Sequence, residues 1–252
     1  MSPEEEFLQK RLVDLANQSY RNNIYTFTGF LTAAEQDLFY RTLPQIGGVG
    51  YLMQGGVEGC ERQMLRFGLP EQFGYEEDFP IRCVEIRPTA PKFADKLTHR
   101  DYLGALMNLG IERNTLGDIF ISDKTGYVFC HEKVVDYIVE NLDRIRHTTV
   151  ECRLLAGAPE AVKPTLKQEN LIVSSERLDG IIAKLFHLSR SQSLLLFREK
   201  KVFVNGRCME NNSGVCKADD VVSVRGFGKF IYRGCVHETK KGNLSISLER
   251  YV

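Results

Sequence analysis

RLDGIIAKLFHLSRSQSLLLFREKKVFVNG, Arg177 to Gly206, is the stretch on which the reading of the fold turns. Leu178, Ile181, Ile182, Leu185 and Phe186 recur at the spacing of one helical face, and Ser174 or Ser175 stands where a cap would start that helix. The opposite face carries Arg177, Lys184 and His187. Ser189 and Gln192 have the spacing of a capping box, which predicts a second helix with Leu194, Leu195 and Phe197 on its apolar side. Arg190 then falls in the first turn, beside backbone N–H groups that no intrahelical carbonyl accepts, an arrangement suited to a phosphate. Lys200 and Lys201 close the helix, and Val202–Val204 runs as a strand into Asn205-Gly206, a strong hairpin signal, with Arg207 just beyond. A further turn at Lys217–Asp220 leads into the strand Val221–Val224 and the run Arg225-Gly226-Phe227-Gly228-Lys229-Phe230.

Charge follows the same division. The 252 residues balance at 33 basic and 33 acidic side chains, yet residues 1–80 hold 6 Lys and Arg against 12 Asp and Glu, residues 81–170 hold 13 against 13, and residues 171–252 hold 14 against 8. Basic charge gathered in one terminal third marks a module for a polyanion. No run approaches the ~18 apolar residues of a membrane span, and the acidic start Met1–Glu6 is unlike a basic targeting segment. Seven scattered Cys without a C-x-x-C spacing fit neither a zinc site nor a disulfide framework, so neither metal nor cofactor is expected.

Upstream, the pattern is α+β. A helix over Glu5–Gln18 shows Phe7, Leu8, Leu12 and Leu15, and Thr32 with Glu35 caps a second one bearing Leu38 and Phe39. Val49–Gln54 and Gln63–Phe67 flank the glycine-rich 55–59 as a hairpin; Gly47, Gly48 and Gly50 lack the context of a dinucleotide loop. From Ile81 the order is strand (81–87), helix (capped by Thr98 with Asp101, stopped at Gly110), strands Leu116–Ile121 and Tyr127–Cys130, a helix through Val134, Val135, Ile138, Leu142 and Ile145, and a strand Thr149–Leu155. This β-α-β-β-α-β order is the ferredoxin-like split unit shared with RNA-recognition domains. Tyr127 and Phe129 share one face of its sheet and, with His99 and Arg100, form a candidate second RNA or partner surface. The expected division is an N-terminal α/β region (1–80), a ferredoxin-like middle domain (81–157), a linker (158–172) containing Pro159 and Pro164, and a basic domain (173–252).

In the basic third, Arg177-Leu178-Asp179 with Ala183, Ser189-Arg190-Ser191, and Val202 to Gly206 before an acidic turn resemble, in order, the S4 RNA-binding domain. The run Val224–Phe230, the middle run Leu97–Ile111 and Leu116-Gly117-Asp118-Ile119 are similar to the YlmH-like subgroup. The resemblance covers about residues 80–240. It implies a bacterial, cytoplasmic, non-catalytic protein that binds structured RNA, ribosomal RNA and tRNA on the large ribosomal subunit, in translation or ribosome quality control, acting as a monomer. Carried over by motif, the RNA surface comprises Arg177, Lys184, Ser189, Arg190, Ser191, Gln192, Lys200, Asn205 and Arg207; charge and proximity add Lys201, Lys217, Arg225 and Lys229. Two other classes compete. S4 domains also sit on RNA-modifying enzymes, but Asp179 is not followed by the Thr-Ser-Gly stretch of pseudouridine synthases, and no glycine-rich methyl-donor loop stands out. An adaptor role would use the acidic N-terminal region against a basic protein.

Overall fold

The computed structural model describes residues 2–251, and the chain divides into two compact units, residues 1–163 and 164–252. The architecture is mixed α+β with three sheets. In the first unit, α1 (Pro3–Asn22), β1 (Thr26–Leu31) and α2 (Ala33–Thr42) are followed by the hairpin β2 (Tyr51–Gln54) and β3 (Gln63–Phe67) and the single turn α3 (Pro70–Phe73). Thr32 caps α2 through the expected reciprocal bonds with Glu35. The helices lay Leu12, Leu15 and Phe39 on Leu65 and Phe67 of the antiparallel β1-β3-β2 sheet. Phe7, expected on the apolar stripe of α1, is instead 75% exposed, because the buried face runs through Leu12, Leu15, Ala16 and Ser19.

The same unit continues with β4 (Ile81–Pro88), α4 (His99–Asn108), β5 (Leu116–Ser122), β6 (Thr125–His131), α5 (Val135–Asn141), β7 (Arg144–Ile145) and β8 (Thr148–Leu155). Their antiparallel sheet has the order β5-β6-β4-β8-β7. Asp123 and Lys124, both at positive φ, make the two-residue turn between β5 and β6. Thr98 caps α4 with Asp101, and Tyr102 and Leu106 carry that helix onto Val84, Ile86 and Val128. Two boundaries differ from expectation. Pro88 is still paired, opposite Val150, at the end of its strand, and Ile145 lies in β7 rather than on α5 because the helix stops at Asn141.

The other face of this sheet is covered from within the unit. Cys83 and Phe129 pack with Phe30, Cys60, Met64, Phe79 and Val162. Gly56, at φ +109°, lies so close to the Phe129 ring that a Cβ there would sit 2.2 Å from the ring Cδ1, a spacing only glycine allows. Phe129 is therefore core, 2% exposed, and the expected aromatic surface is lost; Tyr127 beside it is half-buried. Arg62 binds the two halves of the unit: its guanidinium donates to the carbonyls of Leu116 (3.0 Å), Phe30 (2.8 Å) and Arg113 (3.3 Å). Asp118 returns the contact by accepting from the N–H groups of Glu61 and Arg62. The expected boundary near residue 80 thus crosses a continuous core.

The second unit comprises β9 (Leu166–Val173), α6 (Leu178–Leu185), α7 (Arg190–Arg198), β10 (Val202–Val204), β11 (Arg207–Cys208), β12 (Val221–Val224), β13 (Gly228–Glu238) and β14 (Leu244–Tyr251), the strands forming one sheet of order β11-β10-β12-β13-β14-β9. Residues 166–172, expected to lie in the linker, pair in full register with Ser245–Tyr251, and Val173 continues the strand opposite Leu244. Local pattern could not show this, because Lys167-Gln168-Glu169-Asn170 is polar and its partner lies far along the chain. The core joins Leu178, Ile181, Ile182 and Leu185 of α6 to Leu196 and Phe197 of α7 and to Val202, Val222, Val224, Phe230, Ile246 and Leu248 of the sheet. Leu196 takes the core position on α7 that Leu194 and Leu195 were expected to fill; Leu195 is 48% exposed.

Candidate nucleic-acid interface

The entry to α6 differs from the expected cap. Arg177, not Ser174 or Ser175, is the N-cap residue, and its side chain forks onto Asp179 at 3.0 and 2.8 Å. Asp179 is buried and also accepts from Gly180 N–H and from Asn212 Nδ2. Its main-chain carbonyl takes the Ser193 hydroxyl at 2.8 Å, which ties α7 to α6. The Arg-Leu-Asp motif thus builds the helix junction, and Arg177 is held by Asp179.

The Arg177 hydrogen bonds, foremost, hold the Asp179 carboxyl below its ordinary value, against the opposing effect of burial. A carboxylate whose folded-state value is depressed adds stability that is present above its unfolded value and disappears as pH falls through the folded one. The second unit should therefore lose stability on acidification below the ordinary aspartate range, and Asp179→Asn should flatten that loss in pH-dependent thermal melts. An unaltered acid limb in the Asn variant would refute this account.

Around this junction runs a trough. One concavity, about 290 Å³, is lined by Ser174, Ser175, Arg177, Asp179, Gly180, Ala183 and Arg190. A second, about 450 Å³, shares Ser174, Gly180 and Ala183 with it and extends past Lys184 and His187. Arg177, Lys184 and Arg190 bring cations to it, beside the acid Asp179 and the apolar Ile172, Val173 and Leu188. Arg190 is the first residue of α7, where Ser189 and Gln192 satisfy each other's backbone in a capping box and Ser191 bonds the Ser189 hydroxyl. Ser189 and Gln192 are thereby occupied with the helix start, while Arg190 and Lys184 stand exposed at the trough edge.

The remaining candidates gather at the two ends of the short strands. At one end, Arg225 lies over the Phe203 ring at 5.6 Å and donates its backbone N–H to Lys201 O. Lys229 lies over Tyr251 at 5.2 Å. Lys201 pairs with Glu199 at 2.6 Å and Lys200 with Glu210 at 3.0 Å; such exposed pairs contribute little to stability. At the other end, Asn205 and Gly206 make the positive-φ turn between β10 and β11. The Asn205 side chain is committed to Asp220 and to Val221 N–H, so it braces the turn. Arg207 and Lys217 are exposed beside it. Sequence reasoning missed Arg250, whose guanidinium lies 5.4 Å over Phe186 at the end of α6. Of the two aromatics in the run after Val224, Phe230 is fully buried and Phe227 is exposed.

In the first unit His99 and Arg100, though adjacent, serve different surroundings. Burial, then the nearby Arg113 charge, lowers the His99 pKa, with Asp118 opposing. Arg100 instead lines a groove with Asp143, Arg144 and Arg146. Among the described residues no cluster of three or more His, Cys, Asp or Glu could hold a metal, and no helix is long and apolar enough to cross a membrane.

Comparison with known proteins agrees with a nucleic-acid role. Residues 74–156 match a family model described as "Putative RNA-binding domain in YlmH". The chain is 29% identical over 248 residues to the ribosome-associated protein quality control protein P2 of Bacillus subtilis (strain 168), covering 96% of this chain and 91% of the relative. A solved structure, the cell division protein ylmH from Streptococcus pneumoniae, aligns with 62% of this chain and 93% of its own at a TM-score of 0.49 and 21% identity. Residues 74–156 are thus similar to a domain described as RNA-binding. The family match and the Bacillus relative make the chain similar to YlmH-like bacterial proteins.

Proposed function

We propose that residues 164–252 act as an S4-type unit that binds structured RNA without catalysis, and that the chain works on ribosomal RNA and tRNA at the large ribosomal subunit. The trough along α6, which reaches Arg190 at the start of α7, carries this reading: Ser174, Gly180 and Ala183 leave room for a sugar–phosphate backbone, and Arg190 and Lys184 supply the counter-charge. Lys200, Lys201, Arg225 and Lys229 at one end of the short strands, and Arg207 and Lys217 at the other, add further basic charge in the same unit. Phosphate and 2′-hydroxyl contacts to folded RNA need such groups, whereas readers of single strands need exposed aromatics, of which this surface has Phe227. The name of the Bacillus relative, a ribosome-associated quality control protein, supports the same setting, and that setting is cytoplasmic. Residues 81–155 we read as ferredoxin-like, on the strand order β5-β6-β4-β8 with α4 and α5 as the crossovers.

Sucrose-gradient sedimentation of cell lysate is the direct test. The protein should travel with the large subunit at low salt and return to the top as salt rises, because phosphate contacts release counterions. A protein that stays at the top at both salt levels, with stalled subunits present, would overturn the ribosomal assignment.

A further inference from the structure

The first unit contains a feature that the trough of the second does not explain. Its sheet face, where RNA-recognition domains stack bases, is filled by Phe30, Met64, Phe79 and Phe129. Any RNA bound by residues 81–155 must therefore lie elsewhere. On the helical side, a groove of about 430 Å³ runs between α4 and the β7–β8 turn. Arg100, Arg144 and Arg146 border it, and Gly104 and Asn108 lie along its floor.

Arg100, Gly104 and Asn108 follow one another at intervals of four on α4 and so share a face. Gly104 sits inside a helix, where glycine is unfavourable relative to alanine, yet a Cβ added there would meet nothing within 4 Å. Packing within the fold gives no reason for it. A glycine with empty space above it, flanked by arginines, is what close approach of another backbone requires. Two acids also line the groove. Asp101 is occupied by Thr98 and lies 3.4 Å from Arg146, and Asp143 is exposed. The three arginines outnumber them, and a planar guanidinium matches a phosphate with two parallel hydrogen bonds.

We propose that this groove is a second RNA site, in which the phosphodiester backbone lies over Gly104 and is held by Arg100, Arg144 and Arg146. The proposal is independent of the α6–α7 trough except in assuming that the chain's partner is RNA.

The test uses the full chain and a fluorescent RNA hairpin with a fully paired stem. Arg100→Gln with Arg144→Gln should lower affinity about tenfold and reduce the slope of log K against log salt by about two. Gly104→Ala should raise Tm by a few degrees, as expected for a helix interior, and yet weaken binding. Lys184→Ala with Arg190→Ala is measured alongside. Wild-type affinity and slope in the Arg100/Arg144 variant, with no loss of binding in Gly104→Ala, overturn the groove. If the Lys184/Arg190 variant loses binding in that same experiment, the trough reading stands without it. If the groove variants lose binding and the trough variant does not, the groove stands and the trough reading falls.

Discussion

Replacing Lys184, Arg190 and Arg207 together by alanine should lower the affinity for structured RNA by on the order of a hundredfold at physiological salt, with the log K–log salt slope falling by about three. Each phosphate contact releases close to one counterion, which at ~0.15 M salt amounts to about 1 kcal/mol, and every 1.4 kcal/mol is about a factor of ten. All three side chains are exposed, so their removal leaves the core of α6, α7 and the sheet intact. Arg233→Ala is the matched control: its guanidinium is clamped by Asp219 and Glu249 at 2.6 Å each, so a basic charge is deleted that is already neutralised. Salt-dependent fluorescence anisotropy separates the outcomes. A folded triple variant with unchanged affinity would sink the RNA surface proposed for the second unit.

Arg62→Met should destabilise the first unit by about 3 kcal/mol. The variant keeps the stem but strips donors from the carbonyls of Phe30, Arg113 and Leu116, and each buried acceptor left unpaired costs roughly 1–3 kcal/mol. Arg113 also reaches Leu116 O, at 2.6 Å, which holds the total to the lower part of the summed range. For a unit of this size the loss corresponds to a fall in Tm of about 10 °C. Arg62→Lys should recover little, because one ammonium cannot reproduce a fork that spans three carbonyls. Thermal melts by circular dichroism decide it. A Tm within a degree or two of wild type would mean that the apolar core around Phe30 and Phe129 suffices to join residues 1–80 to the sheet.

Short-range signals are legible in the order of residues. Thr32 with Glu35, Thr98 with Asp101, and Ser189 with Gln192 all cap helices as their spacing indicates, because a capping box closes within four residues and needs nothing from the rest of the chain. The same holds for the Asn205-Gly206 turn, whose positive φ angles are set by two adjacent residues. Readings that depend on distant partners fail. Asn205 looks like an RNA contact in the motif, and only the folded chain brings Asp220 against its side chain. The trough and the groove likewise depend on which helix lies beside which turn.

The amino-acid sequence by itself determined the helices, the caps of α2, α4 and α7, the tight turns and the concentration of basic charge after residue 171, since each is a property of neighbouring residues or of simple composition. Tertiary structure alone decided that residues 166–173 form a strand, by supplying Leu244–Tyr251 as a partner for a segment whose middle, Lys167 to Asn170, is polar throughout. It also decided that Phe129 faces a core rather than RNA. Its alternation with Tyr127 fixes only that the two share a face; whether that face meets water depends on the loop around Gly56 and on Phe30, Met64 and Phe79, which arrive from a part of the chain that no local pattern connects to it.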